Sequence, residues 1–237
     1  KNSIDIDLLI PPGQGERAAA LLLERGYRMS YPAISLTKKQ RRINYKISHH
    51  YGFHHHEKGI HLELHWNLTN PGSLLPLDFN QLYNRCSNVY MNAYPVRTLS
   101  DEDYLLYLSV HGARHLWTRL NWLRDFQGML DRTTSDTLQK AGDRAKKLGL
   151  EKCLQQGLIM SHLIYNKPAN LTVIQTHRLT HNFIQKPVEA VEKNQGADRL
   201  DKLRDLPYHL SLRRAYKFKF NLVFRLRTHH TNWAFVR

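Results

Sequence analysis

The segment SIDIDLLI, residues 3–10, lies near the start of the chain and decides how the fold begins. Its alternation of apolar and acidic residues predicts a β-strand in which Asp5 and Asp7 share one face. Two carboxylates side by side on one face repel each other, so the strand needs something that offsets the repulsion. A bound divalent cation would do so, whereas a solvated edge strand protected by its charges is the alternative explanation.

A third carboxylate is expected from a second strand of the same sheet. After a predicted hairpin turn, IHLELHW at residues 60–66 has an apolar residue at every second position. This pattern places His61, Glu63 and His65 on the polar face of the strand. Two-metal phosphoryl transfer requires carboxylates that converge on the ions. The candidate metal ligands are therefore Asp5, Asp7 and Glu63.

The formal net charge of +15 and the pI near 9.9 are the unusual features of the composition. Such a surplus attracts phosphates, nucleic acid or an anionic surface, although solvated lysine-rich faces are the plain alternative. The length of 237 residues suffices for one or two domains. The two cysteines are too few for a disulfide framework, and no apolar run reaches the ~20 residues of a membrane span, so we expect a cytoplasmic protein.

The patterning divides the chain into an α+β front, residues 1–98, and a mainly helical back, residues 99–237. In the front, a helix of strong helix formers is expected to end at Gly26. The segment INYKIS, residues 43–48, alternates and is expected to be a strand.

In the back, Ser100 precedes three acidic residues and is expected to cap the start of a helix. Residues 216–227 alternate like a strand and mix aromatic with cationic side chains. A membrane-surface segment, a nucleic-acid groove and an ordinary packed helix are the alternatives for this stretch.

Histidine occurs 15 times, and two groups of histidines could bind a metal ion. The run at residues 54–56 is consecutive, and because strand neighbours face opposite sides, we do not expect all three rings to reach one ion. His111 and His115 share a face of a predicted helix, so with Asp125 they could hold the metal of a hydrolase. Hydrogen bonding inside the domain is the alternative for this pair.

Four blocks of the sequence together resemble the uncharacterised nucleotidyltransferase family, a bacterial branch of the DNA polymerase β-like nucleotidyltransferase superfamily. The blocks SIDIDLLI, AALLLERGY, HLELHW and LSDEDYLLYLSVHGARHLWTRLNWLRD keep their order and spacing from Lys1 to about Leu130. The resemblance implies a mixed sheet with flanking helices, followed by a mainly helical C-terminal domain. It also implies a Mg²⁺-dependent transferase that moves a nucleoside monophosphate from an NTP to an acceptor hydroxyl, with two ions bound and Mn²⁺ able to substitute.

The resemblance also implies roles for particular residues. Asp5 and Asp7 match the metal-binding pair, and Glu63 matches the third carboxylate, which would help to deprotonate the acceptor hydroxyl. The side chains expected to line a nucleotide or acceptor cleft are His65, His111, Arg114, His115 and Arg119.

ATP is the expected donor, and the acceptor is open among a small molecule, a sugar, a protein and RNA. The superfamily holds the triphosphate with a Gly-Gly or Gly-Ser turn ahead of the first aspartate, and this sequence begins four residues before Asp5. We expect that turn in sequence upstream of Lys1. If the turn is absent altogether, the alternative is a catalytically inactive protein of this fold that acts as a basic nucleic-acid-binding or regulatory module.

Overall fold

A computed structural model of the chain describes residues 5–32, 36–167, 181–193 and 205–228. The chain divides into two compact units, which are Lys1–Gln81 with Asn221–Arg237, and Leu82–Phe220. The boundary expected between residues 98 and 99 stays a prediction about independently folding domains.

The first unit contains a four-stranded mixed sheet with helices beside it. Its strands are β1 (Ile6–Leu9), β2 (Arg28–Tyr31), β3 (His50–His55) and β4 (Ile60–His65), and its helices include α1 (Gly15–Glu24) and α2 (Lys38–Ile47). The strand order is β1-β4-β3-β2, with β1 parallel to β4 and the other neighbours antiparallel. The mixed sheet with flanking helices is therefore confirmed.

One face of this sheet carries the hydrophobic core of the first unit. β4 alternates as predicted, because Leu62 and Leu64 are buried while Glu63 and His65 are only half-buried. The buried cluster comprises Ala19, Tyr51, Phe53, Leu62, Leu64 and Trp66. The opposite face of β4 is thus left for polar side chains.

The end of α1 agrees with the predicted glycine stop. Gly26 adopts φ +83°, a left-handed conformation that suits glycine. The Tyr27 N–H donates to the Leu22 carbonyl at 3.0 Å, and the Gly26 N–H donates to the Leu23 carbonyl at 3.1 Å. These two bonds close the last turn and direct the chain into β2.

The strand predicted over residues 43–48 is wrong, since this stretch lies in α2 and the C-cap that follows it. A capping box begins the helix: the Thr37 N–H donates to Gln40 Oε1 at 2.8 Å, and the Gln40 N–H donates to Thr37 Oγ1 at 3.3 Å. Tyr45 stacks on Trp66 with ring centroids 4.5 Å apart. Helix start signals and this ring contact outweigh the short alternation, and the strand begins only at His50.

The second unit is mainly helical, as expected. A two-stranded antiparallel sheet, β5 (Ser87–Met91) and β6 (Tyr94–Thr98), precedes all but the first of these helices. Among the described residues, the helices from the end of the first unit onward are α3 (Phe79–Arg85), α4 (Asp101–Arg114), α5 (Leu120–Arg132), α6 (Ser135–Leu148), α7 (Glu151–Tyr165), α8 (His181–Lys193), α9 (Leu206–Ser211) and α10 (Tyr216–Thr228). Within the part of the chain that the structure describes, we find no helix with the length and hydropathy of a membrane span.

Two expectations for this half of the chain can be compared with the structure. The Ser100 cap is confirmed, because its Oγ accepts a hydrogen bond from the Asp103 N–H at 3.4 Å. The alternation of residues 216–227 does not produce a strand, because the segment is the helix α10, which agrees with the helix among the alternatives. Phe218 is buried and Phe220 is exposed, although the two would share a face in a strand.

Candidate metal centre

Two carboxylates lie side by side on neighbouring parallel strands. Asp7 on β1 is directly opposite Glu63 on β4 in the strand register. Asp7 Oδ1 lies 3.2 Å from His65 Nε2, and Glu63 Oε2 lies 2.9 Å from the same nitrogen. One ligating atom from each of these three side chains lies within 4.8 Å of the others. Two carboxylates and one imidazole are a donor set that suits a divalent cation.

The same contacts set the charge of the centre. Burial disfavours the charged form of His65, but the hydrogen bonds to Asp7 and Glu63 outweigh it and raise the pKa of His65 to about 9. The hydrogen bond from His65 in turn lowers the pKa of Glu63. At neutral pH an imidazolium therefore lies between two carboxylates and offsets their repulsion when no metal ion is bound.

Asp5 lies immediately before β1 and is exposed. Partial loss of hydration, followed by the negative charges on Asp7 and Glu63, raises the pKa of its carboxyl group. The structure thus brings the three predicted carboxylates into one electrostatic cluster. Such clustering is typical of metal and catalytic sites, although purely structural networks also produce it.

Two further histidines, for which the sequence alone predicts no role, lie next to this cluster. His50 is opposite His65 in the antiparallel pairing of β3 with β4, and His50 Nε2 lies 3.7 Å from Glu63 Oε1. His49 Nδ1 lies 3.2 Å from His50 Nδ1. Burial lowers the pKa of His50. The strand predicted over residues 43–48 lies too early in the chain. It therefore does not reveal that His50, at the start of β3, is paired with His65 on β4.

The comparison with known families decides the identity of the chain. A sequence model of a family described as uncharacterised nucleotidyltransferase matches residues 2–166. This chain belongs to the uncharacterised nucleotidyltransferase family. No curated protein and no solved structure gave a significant match. Membership supports a transferase that carries out nucleotidyl transfer in general terms, and the mixed sheet with a helical C-terminal part agrees with that fold.

In this member of the family, the other predicted cleft residues belong to the second unit, whereas the carboxylates belong to the first. His111 is on α4 and His115 caps its C-terminus, and their rings are 4.8 Å apart. Trp122 lies against both rings, at 4.9 Å and 5.0 Å. The Arg119 guanidinium lies 5.4 Å from the Trp122 ring, and Arg114 is in the last turn of α4. His111, His115 and Arg119 thus share one aromatic neighbour.

The remaining histidine hypotheses have clear structural outcomes. His54 stacks on His61 with ring centroids 4.3 Å apart, while His55 is buried and makes an edge contact with Tyr27 at 5.0 Å. Neighbours in the run 54–56 therefore have different surroundings, as strand geometry predicts. Among the residues described, no cluster of three metal-ligating side chains includes Asp125, so the hydrolase alternative lacks its ligand set.

Proposed function

We propose that the chain is a Mg²⁺-dependent nucleotidyltransferase that moves a nucleoside monophosphate from an NTP, with ATP expected, to an acceptor hydroxyl. The observation that carries this proposal is the pairing of Asp7 and Glu63 across two parallel strands beside Asp5. The acceptor class is open among a small molecule, a sugar, a protein and RNA.

The proposed metal ligands are Asp5, Asp7 and Glu63. The chemistry of the donor set supports them, because carboxylate oxygens are the ligands that Mg²⁺ prefers. Oxygens of Asp7 and Glu63 already converge on one nitrogen of His65. When bound, Mg²⁺ would neutralise the charge that develops on the phosphate oxygens, and Mn²⁺ has the same ligand preferences.

The chain's own side chains have separate proposed tasks. The hydrogen bond from His65 lowers the pKa of Glu63, so its carboxylate is ionised at neutral pH and available to a metal ion. Its second proposed task is to help to deprotonate the acceptor hydroxyl. His65 holds a proton at Nε2 between Glu63 Oε2 and Asp7 Oδ1 and orients both carboxylates. His65 is therefore proposed as a positioning residue.

Residues of the second unit are proposed to bind the nucleotide or the acceptor. Arg114 and Arg119 carry guanidinium groups, which form strong paired hydrogen bonds with phosphate oxygens. His111 and His115 together with Trp122 form a ring cluster that supports a role in stacking or in positioning. Changing either arginine to methionine should weaken NTP binding, and the salt dependence of the binding should fall with it.

Isothermal titration calorimetry with each NTP in Mg²⁺ tests the proposal. The wild-type chain, the Asp5→Ala/Asp7→Ala double variant and a Glu57→Gln control should be compared. Glu57 is an exposed acid in the turn between β3 and β4, so its removal changes the net charge without touching the cluster. Mg²⁺-dependent binding that only the double variant loses supports the proposal, whereas equal binding by all three chains contradicts it.

The net charge of +15 favours a second candidate, a basic module that binds nucleic acid without catalysis. In that case the affinity for RNA or DNA falls steeply with salt, and the Asp5→Ala/Asp7→Ala variant binds at least as tightly as the wild type. A negligible salt slope removes this candidate.

A further inference from the structure

We infer that His49, His50 and His65 form a binding site for a transition metal ion such as Zn²⁺, beside the proposed Mg²⁺ ligands. One ring nitrogen from each histidine lies within 4.8 Å of the others, and all three side chains are half-buried. The inference goes beyond the proposed function, because it concerns nitrogen ligands and a different class of ion.

The fold brings these three rings together from two neighbouring strands. His50 begins β3 and is paired with His65, the last residue of β4. His49 comes directly before β3, and its carbonyl accepts a hydrogen bond from the Trp66 N–H at 2.9 Å. The ring centroid of His65 lies 5.2 Å from that of His49 and 5.1 Å from that of His50. The end of the β3–β4 pairing therefore holds all three imidazoles on one side.

The distance between the first two histidines is close to that of two ligands on one ion. Zn–N bonds of ~2.0–2.1 Å in a tetrahedral site separate neighbouring ligand nitrogens by about 3.3–3.4 Å. His49 Nδ1 and His50 Nδ1 are 3.2 Å apart. The two nitrogens share a hydrogen bond at this distance, so an ion bound by both rings would replace the shared proton.

The Glu63 carboxylate lies beside the second ring nitrogen of His50, as a carboxylate often does beside a metal-binding histidine. His50 directs Nδ1 towards His49 and places its other nitrogen, Nε2, 3.7 Å from Glu63 Oε1. A carboxylate beside the second ring nitrogen orients the imidazole and strengthens it as a ligand. The ligand class selects the ion, because imidazoles favour Zn²⁺, Cu²⁺, Ni²⁺ and Co²⁺, whereas Mg²⁺ prefers oxygen.

Three protein ligands would leave one position of a tetrahedral ion open for water or another oxygen ligand. His65 also bonds to Asp7 and Glu63, so an ion held by the three histidines would lie next to these proposed Mg²⁺ ligands. The two sites are nevertheless separable by mutation, since His49 and His50 are not among the proposed Mg²⁺ ligands.

Co²⁺ is the probe for the experiment, because its visible absorption distinguishes four-coordinate from six-coordinate sites. The full chain, purified without a polyhistidine tag and treated with EDTA, should be titrated with CoCl₂ and then with ZnCl₂. We expect intense four-coordinate bands at one equivalent of Co²⁺, which Zn²⁺ then removes. The His49→Gln and His50→Gln variants should each bind Co²⁺ at least about tenfold more weakly.

His54→Gln is the matched control, because His54 lies on the same strand, stacks on His61 and belongs to neither ligand set. Asp7→Asn separates the two proposals: it should abolish Mg²⁺-dependent NTP binding and leave the Co²⁺ bands in place. Only weak six-coordinate bands in the wild-type chain would overturn the inference, whatever the variants do. Loss of the Co²⁺ bands in Asp7→Asn, with their retention in His49→Gln, would overturn it as well.

Discussion

Asp7 and Glu63 lie directly opposite each other on two parallel strands, and a single nitrogen of His65 bonds to both carboxylates. This arrangement explains how two adjacent carboxylates are tolerated in the sheet, because the His65 imidazolium supplies part of the positive charge that offsets their repulsion. A divalent cation bound by the same oxygens would compete with that proton. The site therefore holds its carboxylates in place without a metal ion and leaves them available to one.

Removing one carboxylate should stabilise the metal-free fold while it impairs the proposed function. Partial loss of hydration and the charges on Asp7 and Glu63 raise the pKa of Asp5, so ionised Asp5 is disfavoured where it lies. Because Asp5 is exposed and solvent screens these charges, we expect Asp5→Asn in EDTA to increase the free energy of unfolding by no more than about 1 kcal/mol. Urea denaturation at neutral pH measures the change.

Glu57→Gln is the control for this comparison, because Glu57 is exposed and lies outside the cluster. Its stability should stay within about 0.5 kcal/mol of the wild type. If Asp5→Asn destabilises the chain in EDTA, the Asp5 carboxylate stabilises the fold itself. That result would contradict net repulsion among the three carboxylates in the absence of a metal ion.

The polar face of β4, with Glu63 and His65, could be predicted from sequence, but the contribution of His49 and His50 could not. Alternation along residues 60–66 identified Glu63, because a strand buried on one face leaves its mark in local sequence. The pairing of His50 with His65 depends on where β3 begins. The capping box at Thr37 begins α2, and because this helix occupies most of the predicted strand, β3 begins later in the chain. The raised pKa of His65 depends on Asp7, 58 residues away in sequence, so no local pattern could reveal it.

The charge of His65 should make the stability of the chain depend on pH. Its pKa is raised from 6.5 to about 9 in the folded chain, so the folded state binds more protons than the unfolded state between these values. The stabilisation is therefore complete below pH 6.5 and is lost as the pH rises through about 9. Since Asp7 is exposed and screened by solvent, we expect ~1–3 kcal/mol.

Thermal melts of the EDTA-treated chain across this pH range measure the effect. His65→Asn should remove the decline in melting temperature at alkaline pH. His56→Gln, at an exposed position in the β3–β4 turn, should keep it. A wild-type chain that is equally stable at both ends of the range would show that the imidazolium contributes nothing.

Gly112 in α4 should not tolerate a side chain. A Cβ atom at this position would lie 2.3 Å from the ring of Trp117, which is fully buried. The ring cannot easily move, because its Nε1 donates to Gln156 Oε1 at 3.1 Å and the Trp117 N–H donates to the Gly112 carbonyl at 2.9 Å. We expect Gly112→Ala to lower the free energy of unfolding by about 1–3 kcal/mol.

Gly128→Ala is the matched exchange, because Gly128 lies within α5 and a Cβ atom there has open space around it. Alanine favours the helix at such a position, so this variant should gain up to about 1 kcal/mol. Chemical denaturation of both variants distinguishes the local clash from a general effect of replacing glycine. Equal stabilisation of the two variants would contradict the tight contact between Gly112 and Trp117.

Among the acidic residues in the first turns of the described helices, Asp103 should be the one whose replacement destabilises the fold most. Asp103 is fully buried, bonds to Arg144, and lies 3.0 Å from Arg85 Nη2. Its Oδ2 also accepts a hydrogen bond from Ser100 Oγ at 3.2 Å. Asp103→Asn removes the counter-charge of Arg85 and leaves Arg144 only its longer contact with Glu102, at 3.8 Å, so we expect a loss of about 3 kcal/mol in the free energy of unfolding.

Asp136→Asn tests whether burial, and not the position in the helix, causes that loss. Asp136 is also in the first turn of a helix, α6, so both exchanges remove the same favourable interaction with the helix dipole. Its partner Lys140 is 2.6 Å away, but both side chains are exposed, and such a pair contributes little. Urea denaturation should therefore show a change within about 1 kcal/mol for Asp136→Asn. If the two variants lose the same stability, the interaction with the helix dipole accounts for the loss. In that case the arginines beside Asp103 are hydrated well enough to need no counter-charge from its carboxylate.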